Sequence, residues 1–208
     1  MQVVAANDYT IIQGLPGTGK TFTIAFLIQL LVGMGKRVLI TSYTHSAVDN
    51  VVMKLLDEGV GTTDRYNPYP AIVRVGRTGS CHPDVQALLA DRVAASFTPS
   101  TDDEPASELP SVDALRDVIS RARIVGVTTL SVPRSPLLMG EDFDVVVVDE
   151  AAQISQPAIL GALVTARSFV LVGDHMQLPP LVASEAAEQG GKRKRRDGGN
   201  AFTCLSLF

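Results

Sequence analysis

Three short stretches of this sequence combine residue types and spacings that suit one chemistry. They can hold a nucleoside triphosphate with a metal ion and direct attack on the terminal phosphate. The first, Gly14-Leu15-Pro16-Gly17-Thr18-Gly19-Lys20-Thr21, fits the pattern G-x-x-x-x-G-K-[ST]. In such a loop Gly14, Gly17 and Gly19 let the backbone approach phosphates closely, and the consecutive N–H groups that follow Pro16, Thr18 included, cradle the anion together with the helix N-terminus. Lys20 reaches the β- and γ-phosphates, and the Thr21 hydroxyl ligates Mg²⁺. The second is Asp149-Glu150, directly after the apolar run Phe143-Asp144-Val145-Val146-Val147-Val148. Asp149 is placed to hold the Mg²⁺ shell opposite Thr21, and Glu150 to orient or deprotonate the attacking water. The third runs from Gly173 to Pro180. There Gln177 can hydrogen-bond the γ-phosphate or the water, and Pro179-Pro180 stiffen the loop exit.

These groups act together only if secondary structure delivers them to one place. Residues 9–12 read as a buried strand. Residues 21–34 are apolar at nearly every position and read as a helix buried on most sides. Further strands are predicted over 38–41, 71–75, 123–128, 143–148 and 168–172, with 143–148 covered on both faces. Helices are predicted from His82-Pro83-Asp84, with Val85, Leu88, Leu89 and Val93 on one face, and over 111–120. In Ser42-Tyr43-Thr44-His45-Ser46-Ala47-Val48-Asp49-Asn50, Ser46 and Asp49 resemble a capping box. Ala47, Val48, Val51, Val52, Leu55 and Leu56 then form one stripe, with Asp49, Asn50 and Lys54 off it. The hydroxyls at this helix start suit phosphate contacts, and Thr44 and Ser46 equally suit plain helix capping. Strands alternating with helices predict right-handed crossovers and a parallel sheet, with the three motifs at strand C-terminal ends.

The 208 residues suit one domain, 1–208, with a mobile surface insertion at about 98–110 and a basic loop at about 190–199. With 46% hydrophobic and 19% charged residues, the chain has the composition of a packed α/β core rather than a disordered one. Tryptophan is absent and aromatics are 5%, which argues against an aromatic platform for stacking bases. The net charge of −4 argues against a globally basic nucleic-acid binder and leaves polar, backbone and local contacts. Lys192-Arg193-Lys194-Arg195-Arg196 reads as a solvated loop, a nuclear-localisation patch or a phosphate-contacting loop. Cys81 and Cys204, without a C-x-x-C, suit free thiols in a reducing compartment. No apolar run reaches membrane-spanning length, so a soluble intracellular protein without a membrane partner is expected. Both chain ends read as cuts through a larger protein.

Five stretches in order resemble motifs I, Ia, Ic, II and III of superfamily 1 helicases: Gly14 to Thr21, Ser42 to Asn50, Thr128-Thr129, Asp149 to Gln153, and Gly173 to Pro180. The Asp-Glu-Ala-x-Gln form looks like the branch holding the nonsense-mediated-decay RNA helicase and the replication nuclease-helicases. Arg74-Val75-Gly76, with His82-Pro83-Asp84-Val85-Gln86, and the stretch Val172 to Val182 look most like the latter. The resemblance implies a three-layer P-loop NTPase fold of the RecA-like type with a mainly parallel sheet. It implies ATP with Mg²⁺ as cofactors and 5′-to-3′ movement on single-stranded DNA, with RNA as the alternative strand. By it, Tyr43, Thr44, His45 and Ser46 line the strand-binding face, with Thr128 and Thr129 beside them. It also implies work in DNA replication and repair in the nucleus, with cytoplasm and mitochondrion as other compartments. A decay- or splicing-type RNA helicase and a non-catalytic ATP-binding switch are the rival readings. The adenine-reading motif that precedes the phosphate loop in the family has no counterpart here. The second RecA-like domain and its arginines are also missing, so this stretch alone is expected to turn ATP over very slowly.

Overall fold

The computed structural model describes residues 8–15, 17–60, 68–97, 110–174 and 176. Pro16, His175, Gln177, Pro179-Pro180, insertion residues 98–109, the basic loop and Cys204 lie outside the described residues.

Six strands, β1 (Tyr9–Gln13), β2 (Val38–Ser42), β3 (Ile72–Arg74), β4 (Ile124–Thr128), β5 (Phe143–Val148) and β6 (Ala166–Gly173), form one sheet in the order β1-β6-β5-β2-β4-β3. Every neighbouring pair is parallel. The helices are α1 (Lys20–Gly33), α2 (His45–Asp57), α3 (Ala90–Phe97), α4 (Val112–Arg121) and α5 (Gln156–Leu163). The alternation of β5 explains its unbroken run of apolar residues. Val145 and Val147 pack with α1 and α2 on one face, and Val146 and Val148 with the core formed by α3, α4 and α5 on the other. Each such buried side chain contributes about 1.5–3 kcal/mol. The result is the predicted α/β three-layer arrangement, with a wholly parallel sheet among the described residues.

Several local expectations need correction. β1 is an edge strand, so its apolar residues are half-covered, with Tyr9 59% and Ile11 45% exposed. The α1 helix is apolar all round yet buried on one face only: Ile24, Leu27, Ile28 and Leu31 face the sheet, and Phe22, Phe26 and Leu30 lie exposed. Thr44, not Ser46, caps α2, with Oγ1 accepting from the Ala47 N–H at 3.2 Å. Asp49 is not a capping partner but a buried residue facing inward, 2% exposed. The helix expected from His82 onward is split. Residues Pro83–Leu88 form a 3₁₀ turn, Leu89 is extended, and α3 starts at Ala90. The last turn of sequence before β6 also holds a short helix, α5, that periodicity did not reveal.

Candidate functional site

The sheet order decides where the chemistry lies. Strands β1, β6 and β5 are adjacent, so the segments that follow their C-terminal ends stand side by side along one rim. A hydrogen bond from Gly14 N to Gly173 O, 3.1 Å, ties the glycine loop to the end of β6. Another, from Asp149 N to Thr41 O, 2.9 Å, ties the acidic pair to β2. Between them lies a cavity of about 150 Å³ whose lining includes Lys20, Thr21, Asn50, Asp149, Glu150, Gln153 and Asp174.

Within the loop, Gly17 and Gly19 have φ of 76° and 83°, the left-handed region that a side chain disfavours. Gly19 is also the N-cap of α1 and supplies no side-chain cap, so the helix start faces the rim with its own N–H groups. The Lys20 ammonium spans the loop, donating to Gly14 O at 2.7 Å and Leu15 O at 3.0 Å. Thr18 closes the loop, donating from Oγ1 to Leu15 O at 2.7 Å.

Asp149 is 8% exposed, and burial pushes its carboxyl up to about 6. The Glu150 N–H, donating to Oδ1 at 2.9 Å, and the Lys20 ammonium pull the other way; the Glu150 carboxylate adds to the rise. Asp149 therefore lies within electrostatic reach of Lys20. A carboxylate this desolvated suits a cation. Among the described residues no three His, Cys, Asp or Glu side chains converge on a common point. One carboxylate, the Thr21 hydroxyl and phosphate oxygens are the donor set Mg²⁺ takes, and both protein groups line this cavity. Glu150 has φ 53°, and is the one non-glycine among the described residues at positive φ. A left-handed turn at glutamate costs about 1–2 kcal/mol. Asp149 and Glu150 line one cavity from adjacent positions on either side of this turn.

The other half of the rim follows β2 and β4. Tyr43, Thr44 and Ser46 are exposed there and His45 is partly so. The structure places Thr128 and Thr129 differently from the expected strand-lining position. Thr129 is 0% and Thr128 6% exposed. Thr129 Oγ1 shares a hydrogen bond with Thr41 Oγ1 at 3.0 Å, and Thr128 Oγ1 shares one with Ser131 Oγ at 2.8 Å. Both hydroxyls thus brace the strand ends from below, and Leu130 is the exposed residue of that turn.

Sequence reasoning missed Arg74. It is fully buried at the end of β3, donating from Nε to Asp49 Oδ1 at 2.8 Å and from Nη2 to His45 Nδ1 at 3.1 Å. An arginine closing an apolar strand was the available signal, but its partner is 25 residues away in sequence. Burial first, and then the Arg74 guanidinium, hold the His45 imidazole below its ordinary value.

A family model for the AAA domain matches residues 1–109 and 103–185, and the chain belongs to that family. Among individual relatives, it is 43% identical over 190 residues to the DNA replication ATP-dependent helicase/nuclease DNA2 of Xenopus laevis, covering 91% of this chain and 16% of that protein. It is 41% identical over 194 residues to the DNA2 of Saccharomyces cerevisiae, covering 91% of this chain and 11% of that protein. The chain thus spans a small part of the relatives it matches. Among solved structures, T4 UvsW is 15% identical with a TM-score of 0.49, covering 79% of this chain and 26% of that one.

Proposed function

We propose that this chain is the ATP-binding motor domain of a DNA helicase that works in DNA replication and repair in the nucleus. It moves 5′ to 3′ on single-stranded DNA and is completed by a second RecA-like domain. The observation that carries this reading is the single cavity that Lys20, Thr21, Asp149 and Glu150 line together, next to the exposed turn 43–46. Relatives named as ATP-dependent helicase/nucleases support ATP and DNA as the ligands.

In this mechanism the Lys20 ammonium leaves its loop carbonyls for the β- and γ-phosphates. Thr21 and Asp149 would hold Mg²⁺, which would supply positive charge against the phosphates. Glu150 accepts the proton of the attacking water from its strained turn, and Gln177 reports the γ-phosphate. The Tyr43 and His45 side chains and the Thr44 and Ser46 hydroxyls contact the strand's backbone without reading sequence. Arginines of a second domain contribute about 10³–10⁵ in turnover. Closure of the two domains on ATP and opening on release steps the strand.

Changing Glu150 to Gln in the protein that carries this chain tests the proposal. ATP hydrolysis should fall by about 10²–10⁴-fold while ATP stays bound. Unwinding of a 5′-tailed duplex should stop. A Glu150→Gln variant that unwinds at the wild-type rate defeats the proposal.

A further inference from the structure

Every nitrogen of the Arg74 guanidinium is committed. Nε donates to Asp49 Oδ1 at 2.8 Å, Nη1 to Val75 O at 2.6 Å and Gly126 O at 3.2 Å, and Nη2 meets His45 Nδ1 at 3.1 Å. Asp49 is equally committed, its Oδ2 accepting from the His82 N–H at 2.8 Å. Two glycines clear the space. A Cβ on Gly126 would come within 3.3 Å of Arg74 Cδ, and one on Gly76 within 3.4 Å of Nη1. Arginine keeps its protons at any physiological pH. The contact with His45 Nδ1 therefore has one polarity: the guanidinium donates, the ring accepts, and the ring proton sits on Nε2. Nε2 has no recorded partner among the described residues, and His45 sits in the exposed turn beside Tyr43 and Thr44.

We infer that Arg74 is a positioning residue for nucleic-acid contact, anchored on Asp49 and fixing the His45 imidazole so that its Nε2–H is a neutral donor to the strand's backbone. The inference rests on the reading of residues 43–46 as a strand-binding turn. A purely structural ion pair would not need the third branch. Buried pairs of this kind stabilise little relative to well-packed apolar residues, whereas the ring contact gives this one a directional output. The charged groups that act on the ring are Arg74 from β3 and Asp49 from α2. The Cys81 thiol, from the segment before Pro83–Leu88, is acted on by Arg74, Asp49 and Asp91.

The test is a double-mutant cycle in the protein that carries this chain. Dissociation constants for a labelled oligothymidylate are measured for the wild type, Arg74→Lys, His45→Ala and both together. Arg74→Lys keeps the charge beside Asp49 and loses the branch that reaches the ring. His45→Ala should weaken binding by about tenfold to a hundredfold, the value of one hydrogen bond to a charged group. Arg74→Lys should weaken it comparably with ATP affinity unchanged, and the double variant no more than either single one. If Arg74→Lys does not fold, Arg74→Met/Asp49→Leu, which removes the pair whole, takes its place in the cycle. Losses that add, or an Arg74 variant that binds DNA like the wild type while His45→Ala does not, overturn the inference alone. A His45→Ala protein with unchanged DNA affinity overturns the strand-turn reading and the inference with it.

Discussion

The two halves of the sheet rim handle their polar groups in opposite ways. Along β1-β6-β5 the polar groups point into a cavity and remain poorly compensated. Asp149 is desolvated, Glu150 sits in a strained left-handed turn, and Lys20 rests on carbonyls of its own loop. Along β2-β4-β3 nearly all such groups are spent on one another. Arg74 pairs with Asp49, Thr41 with Thr129, and Thr128 with Ser131. Among the described residues, Ser42 Oγ is the one buried side-chain polar atom there without a partner. A site that must bind and release a charged ligand keeps its electrostatics unsatisfied; a frame that must present a turn at fixed geometry satisfies them internally.

Breaking the frame should cost the most stability. Replacing Arg74 alone with Met leaves Asp49 buried and unpaired, and chemical denaturation should report a loss of about 3–5 kcal/mol. Replacing Asp49 with Leu in the same protein should recover most of it. Two equally destabilising single changes that simply add would contradict the account of a self-contained pair.

The cavity half should respond in the other direction. The fold raises the Asp149 carboxyl from 3.8 to about 6, so it favours the protonated form. That contribution is present below about pH 3.8 and is lost as pH rises through about 6. At about 1.36 kcal/mol per unit, Asp149→Asn should stabilise the ligand-free protein above pH 7 by at most about 3 kcal/mol. The wild-type and variant curves should converge towards pH 4. An Asp149→Asn protein that is less stable at pH 8 would show that the carboxylate is compensated after all. The smallest effect is expected at Ser42→Ala. Removing a hydroxyl without a partner should change the melting midpoint little, in the stabilising direction and by less than about 1 kcal/mol.

Much of this contrast was legible in the sequence, for different reasons in the two halves. Residues 143–148 announce a strand covered on both faces because four consecutive valines cannot belong to a half-exposed one. Asp149 and Glu150 follow a strand end directly, and Lys20 and Thr21 follow one after a single short loop, so a parallel sheet gathers them with little need for long-range information. The frame was less legible because it is built from pairings across the sequence. Asp49 lies at the margin of the α2 stripe and reads as solvent-facing until Arg74 supplies its counter-charge. Thr128 and Thr129 carry hydroxyls that suit phosphate contacts, and only the register of β4 beside β2 reveals that they turn inward. The exposure of Tyr9 and Phe22 follows from an edge position and from one uncovered helix face, neither of which periodicity encodes.

The central claim is that Lys20 and Asp149 serve one metal-bound triphosphate. Equilibrium binding of a fluorescent ATP analogue, with and without Mg²⁺, at pH values on either side of 6, tests it most directly. The wild type should bind more tightly with Mg²⁺ above pH 6 and lose that gain below it, as the Asp149 carboxyl takes up its proton. Asp149→Asn should abolish the Mg²⁺ gain at every pH, and Lys20→Ala should weaken binding in both conditions. A Mg²⁺ gain that survives Asp149→Asn, or ATP affinity untouched by Lys20→Ala, would contradict the account.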